Sequence, residues 1–137
     1  PAANRVEGNK RPRSSMAPTL IFDREQGDLL GVVGSPGGSQ IINYVARTLL
    51  AILDWQMDLP AALALPHFGS RNGPTELEQR GDQPSVALQE ALKNRGHALR
   101  LQPMTSGISA IMRIDTATGK RWAGAADPRR EGSARGD

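Results

Sequence analysis

The sequence contains no cysteine and very few aromatic residues. Among its 137 residues there are two Trp, one Tyr and two Phe. Without cysteine the chain can form neither a disulfide framework nor a thiolate zinc site. Its longest apolar run, Thr48–Asp54, is too short to cross a bilayer. The net charge is +3 and the pI about 10.0, but the basic residues are scattered and not interleaved with aromatics, which argues against a nucleic-acid-binding module.

Glycine and proline, by contrast, are abundant. The 15 Gly and 10 Pro residues predict many turns, and the 38% of hydrophobic residues is enough for one core. The apolar residues lie between about Thr19 and Ala126. Residues 1–16 are polar and predict an extended loop, and residues 128–137 predict a loose tail. The length fits one small domain or part of a larger one.

The first half of the chain predicts a hairpin followed by a helix. Thr19–Phe22 and Leu29–Val33 are short apolar runs separated by a polar turn, a pattern typical of two antiparallel strands. Apolar residues then recur at helical spacing from Ile41 to Trp55, and Ser39 is the predicted N-cap of that helix.

The second half predicts shorter elements, which together favour an α+β or layered αββα fold. We expect Val86, Leu88, Ala91 and Leu92 to form the buried face of the second amphipathic helix. The predicted elements are a short helix at Pro60–Leu65, a loop at His67–Pro74, a strand at Thr75–Gln79, a helix at Pro84–Arg95 with Gly96 as its C-terminal cap, a strand at Ala98–Gln102, and a final hairpin formed by Ile108–Ile114 and Arg121–Ala126 that turns at Thr118–Gly119.

The turn between the second strand and the long helix is one candidate site. Gly37 and Gly38 can adopt positive φ and let a ligand approach the backbone closely. The unpaired N–H groups and the dipole at a helix start favour an anion or a developing oxyanion. A tight strand-to-helix turn that needs glycine for its shape alone explains the same residues, and their spacing does not separate the two interpretations.

Other polar residues offer weaker signals. Ser14 and Ser15, beside basic residues, could bind a carboxylate, although a serine-rich loop is the simpler interpretation. His67 lacks a second ligand at metal-binding spacing, which favours a structural role, and His97 is expected at the surface. No metal site is predicted. The Asp127-Pro128 step is typical of a structural turn.

Four segments resemble motifs of the gamma-glutamyltranspeptidase family, in the same order and with similar spacing. Asn9–Thr19 is similar to the family's Lys-Arg-Pro-x-Ser-Ser-Met-Ser-Pro-Thr signature, and Gly34–Ser39 resembles its Gly-Ser-Pro-Gly-Gly-Ser turn. Ala62–Phe68 resembles Ala-x-x-x-Pro-Arg-Phe, with His67 where Arg is usual. Ala125–Arg129 is similar to Ala-Ser-Asp-Pro-Arg. Arg13 and Ala17 depart from the usual Leu and Ser.

The resemblance implies an N-terminal-nucleophile hydrolase of the αββα class, with a mostly antiparallel sheet and packed helices. Such enzymes transfer a gamma-glutamyl group from glutathione and related compounds to water or an amino acid, through a gamma-glutamyl-threonine intermediate. Ser14 and Ser15 would bind the alpha-carboxylate of the glutamyl group, and Gly37 and Gly38 would form the oxyanion hole. No cofactor is implied.

The resemblance also implies what this chain does not carry. Residues 1–137 would be the carboxy-terminal portion of the small subunit, with 1–16 as a substrate-binding loop. The nucleophilic threonine, exposed by autocleavage, would lie outside them. The partners would be the large subunit and the amino-terminal part of the small subunit, from the same precursor. The alternatives are a cephalosporin-type acylase, a poly-gamma-glutamate-processing amidohydrolase, or an inactive homologue that only binds a partner. Export to the periplasm or the cell exterior is expected by resemblance.

Overall fold

Residues 5–136 of the computed structural model form seven strands and three α-helices. Residues 1–4 and 137, the ends of the predicted loop and tail, lie outside the described residues. The strands are β1 (Thr19–Phe22), β2 (Leu29–Gly34), β3 (Phe68–Gly69), β4 (Thr75–Glu78), β5 (Leu99–Gln102), β6 (Ser109–Thr116) and β7 (Gly119–Ala126). The helices are α1 (Ile41–Leu49), α2 (Leu59–Ala64) and α3 (Val86–Asn94).

The larger sheet has four antiparallel strands in the order β1-β2-β6-β7. Both predicted hairpins are confirmed: β1 pairs with β2, and β6 pairs with β7 across a two-residue connection between Thr116 and Gly119. The pairing of β2 with β6, which joins Gly31 to Met112 and Gly34 to Ser109, closes the sheet between segments far apart in sequence.

The smaller sheet has the order β3-β4-β5 and contains the one parallel pair of the described residues. A parallel pair requires a crossover connection, and α3, which lies between β4 and β5 in the chain, provides it. β3 is a two-residue strand, Phe68–Gly69, in a segment predicted as loop, and it forms by pairing with β4. Mixed helices and largely antiparallel strands agree with the predicted α+β class.

The core lies between the four-stranded sheet and helices α1 and α2. Leu63 and Ile108 are completely buried, and burial of such a side chain contributes on the order of 2 kcal/mol. The buried hydrophobic cluster consists of Val33, Ile41, Tyr44, Val45, Ala51, Leu59, Ala62, Leu63, Met104, Ile108, Ala110 and Met112.

The opposite face of the four-stranded sheet is apolar and exposed. Leu20, Val32 and Ile111 lie side by side in the sheet register, on the face away from the helices. Leu20 is 61% exposed and Ile111 46% exposed, and Phe22 and Trp122 are exposed as well. One face of the sheet is therefore covered and the other bears large apolar side chains in contact with solvent.

The predicted long helix forms with a change of geometry in its last turn. α1 continues through a π-helical turn, Leu50–Asp54, and the helical backbone ends at Trp55 as predicted. α2 begins one residue earlier than predicted, because the Asp58 side chain accepts a hydrogen bond from the Ala61 N–H and caps it. None of the helices in residues 5–136 is long and apolar enough to span a membrane.

The predicted buried face of α3 is wrong. Val86 is 69% exposed and Leu88 46% exposed, and only Ala91 and Leu92 are half-buried. The amphipathic pattern is present, but its apolar side lines an open groove of about 520 Å³ that also includes Trp55. The predicted C-terminal cap is correct, since Gly96 adopts a φ of 86° after the end of the helix. Ser85, which was not predicted as a cap, accepts from the Leu88 N–H at the start of the helix.

Candidate functional site

The turn between β2 and α1 has the backbone conformation that its glycines were expected to permit. Gly37 has φ 134° and ψ 19°, and Gly38 has φ 58°. Residues with a side chain rarely adopt either conformation, and the first is essentially restricted to glycine. A short 3₁₀ turn, Gly38–Gln40, then leads into α1. Gly38 is exposed, so the backbone of the turn is accessible at the start of the helix.

Ser39 does not cap α1 as predicted. The N-cap position belongs to Gln40, and no side chain caps the helix there. The interposed 3₁₀ turn moves Ser39 away from the capping position, and its hydroxyl instead accepts a hydrogen bond of 2.6 Å from the Arg71 guanidinium. Ser39 therefore connects the turn to the loop that precedes β4.

The two predicted serines lie in the irregular segment before β1. Ser14 is exposed and Ser15 half-buried, and the Ser14 hydroxyl accepts from the Met16 N–H at 3.4 Å. Since Thr19 pairs with Val33, the segment before β1 and the turn after β2 leave the hairpin at the same end. The fold thus places the serine pair and the glycine turn at one end of the sheet. Among residues 5–136, no hydrogen bond joins either serine hydroxyl to the glycine turn.

A buried polar network lies behind the turn, and sequence reasoning did not find it. Arg47 Nε donates to His67 Nδ1 at 3.1 Å, and His67 Nε2 lies 2.6 Å from Ser106 Oγ. Ser106 Oγ donates in turn to Asp127 Oδ2. Because Nδ1 accepts, the proton of the neutral ring is on Nε2, and the hydrogen bonds run in one direction from Arg47 to Asp127.

Burial and nearby cations decide the charge of this network. Burial, with the charges of Arg47 and Arg129 added to it, lowers the pKa of His67 to about 3, so the ring is neutral. Burial raises the pKa of Asp127, but hydrogen bonds from Ser106 and Arg129 outweigh it and hold that pKa below its ordinary value. The structural role expected for His67 agrees with these contacts, and the exposed His97 lies at the surface as expected.

Arg129 joins the network to the rest of the fold. Its guanidinium forms a two-pronged ion pair with Glu78, with N–O distances of 2.6 Å on both prongs, and a further bond of 3.0 Å to Asp127. It also donates to the carbonyls of Leu63 and Leu65. Such a bidentate arrangement is geometrically specific, and the Asp127-Pro128 turn serves to bring Arg129 into it.

The predicted loose tail is wrong for its first residues. Arg129 is almost completely buried, and Arg130 donates to the carbonyls of Ser106 and Thr105 at 3.1 Å and 3.0 Å. No local pattern signals these anchors, since apart from Asp127 the partners of the Arg129 side chain lie 51 or more residues earlier. The Cβ of Ala134 stands 3.1 Å from where a Cβ of Gly124 would lie, so the tail also contacts β7.

A second polar cluster joins the smaller sheet to the start of α1. Gln40 Nε2 donates to Glu76 Oε2, and Asn43 Nδ2 donates to Gln40 Oε1 at 2.6 Å. Arg71 completes it, with an ion pair of 3.2 Å to Glu76. The turn is therefore held from the side of β4 through side chains as well as by its own backbone.

Comparison with known proteins identifies the family. The family model for gamma-glutamyltranspeptidase matches residues 1–136. The chain is 36% identical over 134 residues to a glutathione hydrolase proenzyme of Bacillus subtilis strain 168. That alignment covers 98% of this chain and 22% of the Bacillus protein. The chain is 33% identical over 128 residues to the glutathione hydrolase proenzyme of Escherichia coli K12, covering 93% and 21%.

A solved structure agrees with the sequence comparison. The crystal structure of the T380A mutant of Helicobacter pylori gamma-glutamyltranspeptidase matches with a TM-score of 0.80 and 30% identity, over 95% of this chain and 69% of that one. The chain spans about a fifth of the length of the glutathione hydrolase proenzymes it matches. The matched range, the identities and the shared architecture agree, and the chain belongs to the gamma-glutamyltranspeptidase family.

Proposed function

We propose that this chain forms the acyl-binding part of an enzyme that transfers or hydrolyses gamma-glutamyl groups. The observation that carries the proposal is the accessible turn at Gly37 and Gly38, two glycines with positive φ angles at a helix start. Unpaired backbone N–H groups at a helix start stabilise the oxyanion of a tetrahedral intermediate. The segment with Ser14 and Ser15, at the same end of the hairpin, would hold the alpha-carboxylate of the glutamyl group.

The chemistry is a two-step acyl transfer through a threonine outside residues 1–137. The threonine hydroxyl attacks the gamma-carbonyl, its proton passes to the amine at the chain terminus, and the carbonyl oxygen becomes an oxyanion at Gly37 and Gly38. Collapse expels the donor amine, which takes up a proton, and leaves a gamma-glutamyl ester. Water or an acceptor amine then attacks the ester through a second tetrahedral intermediate, which restores the threonine hydroxyl.

The exposed apolar face of the four-stranded sheet supports the proposed partners. Leu20, Phe22, Ile111 and Trp122 form an area that a second sheet would cover in a layered αββα fold. The amino-terminal part of the small subunit and the large subunit, cut from one precursor, are the proposed source of that cover. The relatives named above are proenzymes, in keeping with a processed precursor. Export to the periplasm or the cell exterior is part of the same proposal.

A pair of glycine variants in the full-length gene product tests the oxyanion role. At Gly37 a Cβ would stand 2.5 Å from Tyr44 Cε2, whereas at Gly38 nothing lies within 4 Å. We expect Gly37→Ala to lower kcat for gamma-glutamyl-p-nitroanilide by about 100-fold, because the clash would displace the backbone N–H by enough to cost about as much as removing one oxyanion donor. Gly38→Ala adds left-handed strain of roughly 1–2 kcal/mol but no clash, so its kcat should fall less than that of Gly37→Ala. Equal kcat values for Gly37→Ala and the wild type would contradict the oxyanion role.

The serine pair is tested separately, by its effect on substrate binding. Ser14→Ala and Ser15→Ala should each raise the KM for the same substrate by about tenfold, because each removes a hydrogen bond to a charged group worth about 1.5 kcal/mol. Thr118→Ala, at the exposed β6–β7 turn, is the control and should leave KM unchanged. If the full-length wild type autocleaves but releases no gamma-glutamyl group, the substrate assignment fails and the cephalosporin-type acylase becomes the better interpretation.

A further inference from the structure

The conformation of Gly37 is fixed by what lies behind it. The Tyr44 ring occupies the space where a side chain at this position would stand, and the carbonyl oxygen of Thr105 lies 3.7 Å from the same point. One side of the turn therefore rests on a tyrosine ring and on the segment between β5 and β6.

That segment, residues 103–108, holds the turn directly and is called the support loop below. The Gly107 N–H donates to Ser35 Oγ at 3.2 Å, and the Ser35 hydroxyl donates to the Pro36 carbonyl at 2.7 Å. Pro36 approaches Gly107 so closely that a Cβ there would stand 2.8 Å from Pro36 Cγ. A displacement of the support loop would therefore be transmitted to the residue immediately before Gly37.

The support loop has no secondary structure, and side chains hold it in place. Ser106, with an exposed fraction of 0%, lies at its centre. The Ser106 hydroxyl accepts a hydrogen bond from His67 Nε2–H and donates one to Asp127, so it is used both as acceptor and as donor. The carbonyls of Thr105 and of Ser106 itself accept from Arg130. Ser106 is thus the contact through which the buried network fixes the loop.

We infer that Ser106 is a positioning residue for the oxyanion-binding turn, acting through the support loop, Ser35 and Tyr44 on the backbone of Gly37. This inference rests on the proposed function. Ser106 is buried and touches no substrate. Its effect is therefore on the position and direction of the Gly37 and Gly38 N–H groups. A donor to the oxyanion stabilises the transition state more than the ground state. A displacement of these N–H groups should therefore lower kcat.

The test compares three variants of the full-length gene product, each normalised to autocleaved enzyme. Ser106→Ala removes the central hydroxyl, and Ser35→Ala removes the hydroxyl to which the Gly107 N–H of the support loop donates. We expect kcat for gamma-glutamyl-p-nitroanilide to fall by about tenfold or more in Ser106→Ala, because small displacements of catalytic groups have effects of this order. The fall should be smaller in Ser35→Ala, and KM should stay unchanged in both variants.

Asp58→Ala is the matched control, because it destabilises the fold through the loss of the α2 cap without contacting the loop or the turn. It should keep wild-type kcat and KM. The inference would be overturned if Ser106→Ala kept the wild-type kcat. It would also be overturned if Asp58→Ala lost as much kcat as Ser106→Ala. If Ser106→Ala fails to autocleave, Ser35→Ala decides, and a wild-type kcat in that variant would overturn the inference. No gamma-glutamyl release by the wild type would overturn the proposed function and this inference together, whereas the preceding outcomes leave the proposed function intact.

Discussion

His67 shows at the scale of one residue how burial selects a charge state. The ring is 2% exposed and lies against Tyr44, with ring centroids 4.3 Å apart. Its Nδ1 accepts from Arg47, and Arg129 and Arg80 add positive charge, while Asp127 and Glu78 provide the negative charge nearby. A proton added to Nδ1 would break the bond from Arg47 and put two cations in contact in a buried site.

His67 should therefore make stability depend on pH. Its native pKa of about 3 lies below the ordinary 6.5, so the unfolded state binds the extra proton. The stabilisation is complete above about pH 6.5 and is lost as the pH falls toward 3, by up to about 1.4 kcal/mol per pH unit. We expect the full-length gene product to unfold at lower denaturant concentration as the pH falls from 7 to 4.

The matched variants for this prediction are His67→Gln and His97→Gln. Glutamine at position 67 can accept from Arg47 and donate to Ser106 without taking up a proton. Its unfolding midpoint should fall less steeply with acid than that of the wild type. His97→Gln replaces an exposed histidine and should retain the wild-type slope. Parallel curves for wild type and His67→Gln would show that another group controls the acid response.

At the scale of one element, β2 contains a glycine, Gly31, against which the Met112 side chain of β6 packs. Gly31 pairs with Ile21 on one side and Met112 on the other. The Met112 side chain lies over the glycine and fills the place of the missing side chain, and the Ile111 carbonyl oxygen is 2.9 Å from that place. The close contact depends on Gly31 because a larger residue would need both the methionine and a backbone carbonyl to move.

Gly31→Ala should therefore destabilise the protein by about 1–3 kcal/mol, the usual cost of overpacking. Gly34→Ala is its control in the same strand, since nothing lies within 4 Å of the added methyl group there. Denaturant unfolding of both variants of the full-length gene product measures the difference. A midpoint for Gly31→Ala at or above that of Gly34→Ala would mean that the sheet adjusts freely at this position.

The elements also show how far sequence reasoning reaches. Both hairpins, the long helix and the glycine turn could be predicted, because apolar spacing and turn residues act within a few positions. β3 was missed because its two residues become a strand only by pairing with β4. The inward face predicted for α3 failed because spacing identifies an apolar side and not what covers it. The Arg47–His67–Ser106–Asp127 network was missed because its bonds join residues about 20 to 40 positions apart.

For the molecule as a whole, we expect the exposed apolar sheet face to make solubility depend on assembly with a partner. The row formed by Leu20, Val32 and Ile111 crosses three strands and has no counterpart in the helices, which pack on the other face. Exposed apolar areas of this kind mark interaction surfaces. In the proposed enzyme the row lies between two sheets, where a charged side chain would be buried without a partner.

Ile111→Lys should therefore have opposite effects on the two forms of the protein. As an isolated 137-residue chain, the variant should scatter less light than the wild type, since the charge interrupts the apolar row. In the full-length gene product it should reduce the yield of autocleaved enzyme, because a lysine would be buried between the sheets. Thr118→Lys adds the same charge at an exposed turn and should keep the full-length yield. An unchanged yield for Ile111→Lys would place the partner elsewhere.

The ion pair between Arg129 and Glu78 has a consequence for the order in which the molecule is made. The two residues are 51 positions apart, so at about 5–20 residues per second a ribosome adds Arg129 roughly 3–10 s after Glu78. During that interval the Glu78 carboxylate lacks the guanidinium that neutralises it in the finished fold. We therefore expect the interior around β4 to close late, with the nascent chain accessible to chaperones until Arg129 is added.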